Sequence, residues 1–394
     1  MDKNDVVILS FARTPIGDFQ GALKDVPLVD LTAAAGKAAM ERAGVKPEEI
    51  EEVAMGCGYK HGNKGNPARQ VQLGLGIPET GWAYTLDQQC ASGMKALDTI
   101  YRSLKTGGCK VGLALGGESM SRVPYMSLNA RMGLRMGDAQ LVDTLTHDGL
   151  VCAIENYHMG LTAENLAEEY NISREEQDEL AVISNQRAAA AIADGKFKAE
   201  IVPVTIETRK GTVVVETDEH PRADVSVEKL GNLRAAFKKD GTVTAGNASS
   251  INDGAAALVL TTAGYAQEHG LRPIARVLST VSMGAAPRVM GIGPVYAIPK
   301  AIKEAGLTEA DIDYYEINEA FAAQFIACNR VLNISMDKVN ANGSGVGLGH
   351  PVGCTGARIA GAVVYELERR NQRYGVASLC VGGGPAMAVV LEKL

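Results

Sequence analysis

Lys37-Ala-Ala-Met-Glu-Arg-Ala-Gly44 recurs, in outline, as Lys300-Ala-Ile-Lys-Glu-Ala-Gly306. Each glycine is followed by an acidic segment and then an apolar run. Pro47-Glu-Glu-Ile-Glu-Glu-Val-Ala-Met-Gly56 matches Glu309-Ala-Asp-Ile-Asp-Tyr-Tyr-Glu-Ile-Asn318, so that Asn318 is the counterpart of Gly56. Further on, Leu115-Gly-Gly-Glu-Ser-Met120 echoes Gly382-Gly-Gly-Pro-Ala-Met387. The copies are too far apart for a solenoid period. They read as one α/β domain used twice, each running helix, glycine, strand, long loop, helix, strand, glycine-rich turn. A glycine directly after a helix suits a left-handed cap. Alternating strands and helices predict an open, largely parallel sheet flanked by helices.

The middle of the chain lacks this pattern. Residues 121–245 are rich in Met, Asn and charge. Within them Ser173-x-x-Glu176 forms a capping box ahead of the helical run Glu179 to Ile192, which stops at Gly195. Thr212 to Glu216 is a short β-rich run. The expected organisation is therefore a first α/β domain over 1–120 and 246–270, an inserted loop domain over 121–245, and a second α/β domain over 271–394.

Composition narrows the function classes. The chain has 394 residues, 46% hydrophobic and 22% charged, which fits a globular protein. A net charge of −7 argues against a nucleic-acid surface. It leaves room for an anionic ligand in a local basic pocket. No apolar run approaches the ~18–20 residues that span a bilayer, so no membrane partner is expected. Met1-Asp2-Lys3-Asn4-Asp5 resembles neither a signal peptide nor a transit peptide, and the expected location is the cytoplasm. Seven cysteines, odd in number and scattered without a CxxC, make a disulfide framework or a zinc site an unsuitable reading.

Four segments carry side chains suited to chemistry. In Asp87-Gln-Gln-Cys90-Ala-Ser-Gly93, Cys90 sits at the start of a helix whose later residues Met94, Leu97, Tyr101 and Leu104 keep helical spacing. Free N–H groups and the helix dipole there favour a thiolate, so Cys90 is a nucleophile or a small buried core residue. Asn342-Gly-Ser-Gly-Val-Gly-Leu-Gly-His350-Pro-Val-Gly-Cys-Thr-Gly-Ala357 fails the GxGxxG pattern and lacks a Walker lysine. His350 lies ahead of a helix expected from Ala357 to about Glu368. In the repeat it falls near the position of Cys90. If the copies pack with pseudo-twofold symmetry, thiol and base meet; otherwise His350 is structural. Cys380 ends an apolar strand before Val381-Gly-Gly-Gly384, where open α/β sheets host ligands, or else it is core. Asn318, in Ile317-Asn-Glu-Ala-Phe321, either holds a water or an oxyanion or caps a helix from Glu319 to Cys328.

Taken together, Gln-x-Cys-Ala-Ser-Gly, Asn-Glu-Ala-Phe, Gly-His-Pro-x-Gly and Cys-x-Gly-Gly-Gly closely resemble the thiolase family over nearly the whole chain. His158-Met159-Gly160 resembles its short-chain, biosynthetic-type branch, the acetyl-CoA acetyltransferases. The resemblance implies duplicated α/β domains in layered helix-sheet-helix-sheet-helix packing, plus the inserted loop domain. It implies reversible condensation of two acetyl-CoA to acetoacetyl-CoA and CoA through an acetylated Cys90. No permanently bound cofactor and no metal are implied; coenzyme A thioesters are the substrates, and the assembly is a homotetramer built as a dimer of dimers.

Roles follow position by position. Cys90 becomes acetylated, His350 deprotonates it, and Cys380 exchanges the proton on the methyl carbon of the second acetyl-CoA. Asn318 holds a water that forms an oxyanion hole with His350. The backbone N–H groups of Cys90 and Gly382 form a second hole. His158 contacts the thioester end and Arg222 the CoA phosphate. Leu150, Phe237, Ala245, Gly246, Ser249, Ala320 and Phe321 surround pantetheine and adenine, while Met159 and Met290 narrow the acyl pocket. Asp87 departs from the family, which usually has Asn there, and is expected to point away from the thiol. Three competing readings are a decarboxylating ketoacyl synthase, which lacks the second Cys; a degradative thiolase for longer chains; and a noncatalytic CoA- or lipid-binding homologue.

Overall fold

The first copy of the repeat supplies six strands and the second four to one ten-stranded sheet in the computed structural model, which describes all 394 residues. The main strands are β1 (Val6–Arg13), β2 (Glu52–Gly56), β3 (Trp82–Leu86), β4 (Val111–Ser119), β5 (Asn252–Thr262), β6 (Ala275–Gly284), β7 (Tyr314–Ile317), β8 (Tyr374–Cys380) and β9 (Pro385–Lys393). Their order is β7-β8-β9-β6-β1-β5-β4-β2-β3, and the two-residue strand Gly17–Asp18 adds to β5. The half-sheets mirror each other: β2, β4, β5 and β1 correspond to β7, β8, β9 and β6. They join where β1 pairs β6, with Val7 opposite Arg276 and Ile8 opposite Ala275.

The sheet is mixed, which corrects the expectation of a largely parallel one. Only β2 with β3 and β4, and β7 with β8, run parallel. Val381–Gly384 joins β8 to β9 and is too short for a crossover helix, so β9 returns antiparallel. In the first copy the chain leaves β4 at Ser119 and returns antiparallel as β5 at Asn252. Everything between stands where the second copy has a tight turn. This long excursion is tied back by Arg13 of β1, whose buried guanidinium meets Asp218 at 2.7 and 2.9 Å and Glu200 at 3.1 Å.

The principal helices are α1 (Leu28–Ala43), α2 (Ser92–Thr106), α3 (Met159–Glu169), α4 (Arg174–Ala193), α5 (Pro294–Glu304), α6 (Ala322–Leu332) and α7 (Val352–Arg370). α1 covers the outer face of the first half-sheet and α5 that of the second, while α2 and α7 lie between the halves. The result is helix, sheet, helix, sheet, helix. α7 is buried on every side from Val352 to Val364, as a helix in a middle layer must be. Gly44 and Gly306 follow α1 and α5 with φ of 67° and 74°, the expected left-handed caps. The Ser173–Glu176 capping box opens α4, with both reciprocal bonds made.

α2 and α7 cross in unusually close contact. A Cβ on Gly93 would stand 2.7 Å from both Gly353 O and Ala357 N. Two helix N-termini therefore touch at the molecule's centre, one preceded by Cys90 and the other by His350.

Candidate active site

Cys90 lies in the single turn Gln89–Ala91 that leads into α2. Gln89 holds a left-handed φ of 48°, uncommon for a residue with a side chain. Local bonds hold this turn: Gln88 N–H donates to Ser92 Oγ at 2.9 Å, and Ser92 Oγ donates to Gln89 O at 2.7 Å. Asp87 Oδ1 accepts from Gln89 N–H at 2.7 Å, so its carboxylate is engaged with the backbone. Burial pushes the Cys90 thiol up to about 11. The N–H groups of Gly382 and of Cys90 itself oppose that rise, while the charges of Asp87 and Glu118 add to it. The helix N-terminus alone thus leaves a thiol, and a base is needed to make the nucleophile.

His350 is 5% exposed and stands two residues ahead of α7, which starts at Val352 rather than at Ala357. Glycine-rich sequence hid that first turn. Burial pushes the imidazole down to about 3, and the Arg358 guanidinium acts in the same direction. It is neutral at any physiological pH. Thr355 Oγ1 donates to Pro351 O at 3.0 Å and so must accept from His350 Nδ1–H at 2.6 Å. That places the proton on Nδ1 and leaves Nε2 as the free base. His350 N–H donates to Asn252 Oδ1 at 2.8 Å, fixing the backbone too. Thr355→Val should lower kcat by ~10-fold or more, short of the ~10²–10⁴-fold expected for loss of a general base. Steady-state thiolysis measures it; an unchanged kcat would show that the hydroxyl does not set the tautomer.

Asn318 resolves one of the open readings. α6 begins at Ala322 with Phe321 at its cap position, so Asn318 does not cap it. Instead its fully buried side chain brings Nδ2 to 3.5 Å from His350 Nε2, and no protein group donates to its Oδ1. Cys380 closes β8, fully buried, and burial raises its thiol well above the ordinary value, with Cys90 and Cys328 adding to the rise. Gly382 lies in the turn after it, directing its N–H at Cys90. Two thiols, an imidazole and an amide therefore gather where the N-termini of α2 and α7 meet the end of β8.

A cavity of about 490 Å³ opens onto this cluster through His350. Leu150, His158, Met159, Arg222, Phe237, Ala245, Ser249 and Phe321 line it. Its open end reaches a recess that includes Gly246 and Arg222. Ala320 and Met290 are buried in the wall behind, packed with Met159, Phe321 and Cys380. His158 stacks on Phe237 with ring centroids 4.5 Å apart, and its Nδ1 accepts from Gly160 N–H at 3.0 Å, capping α3. Nε2–H is left as a donor into the cavity. Sequence reasoning missed Asp18, Phe19 and His220 at the cavity mouth, where His220 Nδ1 lies 2.6 Å from Asp18 Oδ1. It also missed Thr355, although it stands in the first turn of the helix that His350 immediately precedes. No group of three His, Cys, Asp or Glu side chains surrounds a common point as metal ligands would.

Residues 6–264 match the model of the thiolase N-terminal domain and residues 271–393 that of the thiolase C-terminal domain. The acetyl-CoA acetyltransferase of Escherichia coli is 49% identical over 389 residues, covering 98% of this chain and 99% of that one. Among solved structures, the Bacillus anthracis acetyl-CoA acetyltransferase superposes with a TM-score of 0.97 at 47% identity, covering 99% of each chain. The human mitochondrial 3-ketoacyl-CoA thiolase superposes with a TM-score of 0.96 at 40% identity over the full length of both.

Proposed function

Because the chain belongs to the thiolase family, we propose that it is an acyltransferase that condenses two acetyl-CoA molecules to acetoacetyl-CoA and CoA, and runs the reverse thiolysis at the same site. The observation that carries the reading is the meeting of two thiols, the half-buried Cys90 and the fully buried Cys380, with a neutral imidazole whose free nitrogen is Nε2.

His350 Nε2 takes the Cys90 proton, and the thiolate attacks the acetyl carbonyl carbon. The carbonyl oxygen, now an anion, is met by the N–H groups of Cys90 and Gly382. The carbon–sulfur bond to CoA breaks, and the departing thiolate takes the Cys380 proton. Cys380, now a thiolate, removes a methyl proton from a second acetyl-CoA. The enolate oxygen is held by a water on Asn318 and by His350, whose Nε2 now carries a proton. The enolate carbon attacks the acetyl group on Cys90, acetoacetyl-CoA leaves, and His350 returns its proton to Cys90. Every proton is accounted for within the site. A methyl group beside a thioester is a very weak carbon acid, so base and enolate stabilisation are both required.

In this reading residues 121–245 form a loop domain that binds CoA and joins subunits. His158 donates to the thioester oxygen and Arg222 meets a CoA phosphate. Leu150, Phe237, Ala245, Gly246, Ser249, Ala320 and Phe321 enclose pantetheine and adenine. The assembly is a homotetramer, a dimer of dimers, supported by the exposed Met132, Leu134, Met136 and Leu141 on one stretch of the inserted segment, an apolar patch of the kind that marks interfaces. Seven unpaired cysteines suit the reducing cytoplasm, and no helix is long and apolar enough to cross a membrane.

Met159 in the wall and Met290 behind it limit acyl length. Acetoacetyl-CoA should be cleaved with a kcat/KM at least ~10-fold above that of 3-ketooctanoyl-CoA. Equal values would move the assignment to a degradative thiolase of broad chain length.

A further inference from the structure

We propose that Glu118 is a positioning residue for acyl transfer: its carboxylate clamps the first turn of α7 to the loop after β2, and so sets where His350 stands relative to Cys90. The inference rests on the acetyl-transfer reading above. Glu118 is the second-last residue of β4 and is fully buried. Its Oε2 accepts from Gly58 N–H at 2.8 Å and from Gly353 N–H at 2.9 Å; its Oε1 accepts from Tyr59 N–H at 3.2 Å and lies 3.4 Å from Cys57 Sγ. Gly58 and Tyr59 follow β2, whereas Gly353 is the second residue of α7. The other side of Gly353 rests on Gly93 in the first turn of α2, just after Cys90. One carboxylate therefore ties down the helix that follows the base, at the point where it leans on the helix that follows the nucleophile.

Electrostatics argues that geometry is what this group supplies. No Lys, Arg or His pairs with it, and burial pushes it up to about 7 against the three N–H groups. Its charge opposes formation of a thiolate at Cys90. A carboxylate without a cation is costly to bury, and here it has the wrong sign to activate the nucleophile. Its three N–H contacts, one of them at a helix N-terminus, are what favour it.

Glu118→Gln keeps the volume but turns an amide N–H₂ against at least one backbone N–H. In thiolysis of acetoacetyl-CoA, kcat should fall at least ~10-fold, since a ~1 Å displacement can cost ~10²-fold. KM should stay within ~2-fold. Alkylation of Cys90 by iodoacetamide at fixed pH should fall with kcat, because a displaced His350 no longer takes the proton of a thiol that burial holds up to about 11. Glu118→Asp, which keeps the charge and shortens the reach, should show the same kcat loss, and it decides by the same kcat and KM readouts if the glutamine variant does not accumulate folded. An unchanged kcat overturns the proposal. So does a rise in KM that matches the loss of kcat in Glu118→Gln, which would mark a collapsed site, or alkylation at the wild-type rate, which would show that His350 still reaches Cys90. Wild-type protein inactive on acetoacetyl-CoA would instead overturn the acetyl-transfer reading, and the proposal with it.

Discussion

Cys90→Ala should carry no acetyl group and turn over nothing, whereas Cys380→Ala should still become acetylated at Cys90 and then stop. The two thiols serve different half-reactions. Cys90 forms the bond to the acetyl carbon; without it no later step has a substrate. Cys380 protonates the departing CoA and deprotonates the next methyl group. Its loss slows acetylation, since CoA must find a proton elsewhere, but blocks the carbon acid step outright. Cys380 is fully buried at the end of β8, and His350 already holds the Cys90 proton when the methyl group must give up its own. No other base stands ready, so the loss should reach at least the ~10²–10⁴-fold of a general base. Labelled acetyl-CoA with an acid quench reads the first half-reaction, and deuterium exchange into the acetyl methyl group reads the second. Exchange at the wild-type rate in Cys380→Ala would move the base assignment to His350.

His350→Ala should fail in a different way, and alkali should repair part of it. With the Cys90 thiol pushed up to about 11, only ~10⁻³ of it is thiolate at pH 8 in the absence of a base. Acetylation of Cys90 in this variant should therefore fall by ~10²–10³-fold at pH 8. It should then climb ~10-fold per pH unit toward pH 10, because each unit below the thiol pKa raises the thiolate fraction tenfold. The wild type should show no such climb over this range, since its imidazole, held down to about 3, is already fully in the basic form. Pre-steady-state acetylation across pH measures both. A flat profile in His350→Ala would mean that Cys90 is thiolate at rest.

Local signals in the sequence carried well. Gly44, Gly306 and the Ser173–Glu176 box announce helix ends through bonds made within a few residues, and each is found where expected. The duplication was legible because both copies keep helix, glycine and strand in step, and it placed Cys90 and His350 at equivalent helix starts. What failed depends on contacts distant in sequence. Strand direction was misread because it hangs on whether four residues after Cys380 turn back or cross over. The start of α7 was misread because Val352 to Gly356 is held helical by burial between two half-sheets, with little propensity of its own. Asn252 and Glu118 were invisible as supports for His350 because only the fold brings β5 and β4 to that helix.

The most direct test of the central claim is the mass of the peptide carrying Cys90 after the purified protein meets acetyl-CoA and is quenched in acid. That peptide should gain one acetyl group, the peptide carrying Cys380 should gain none, and added CoA should remove the label as acetyl-CoA. An acetyl group on Cys380 instead, or none on either thiol in a protein that turns over acetoacetyl-CoA, would contradict the account.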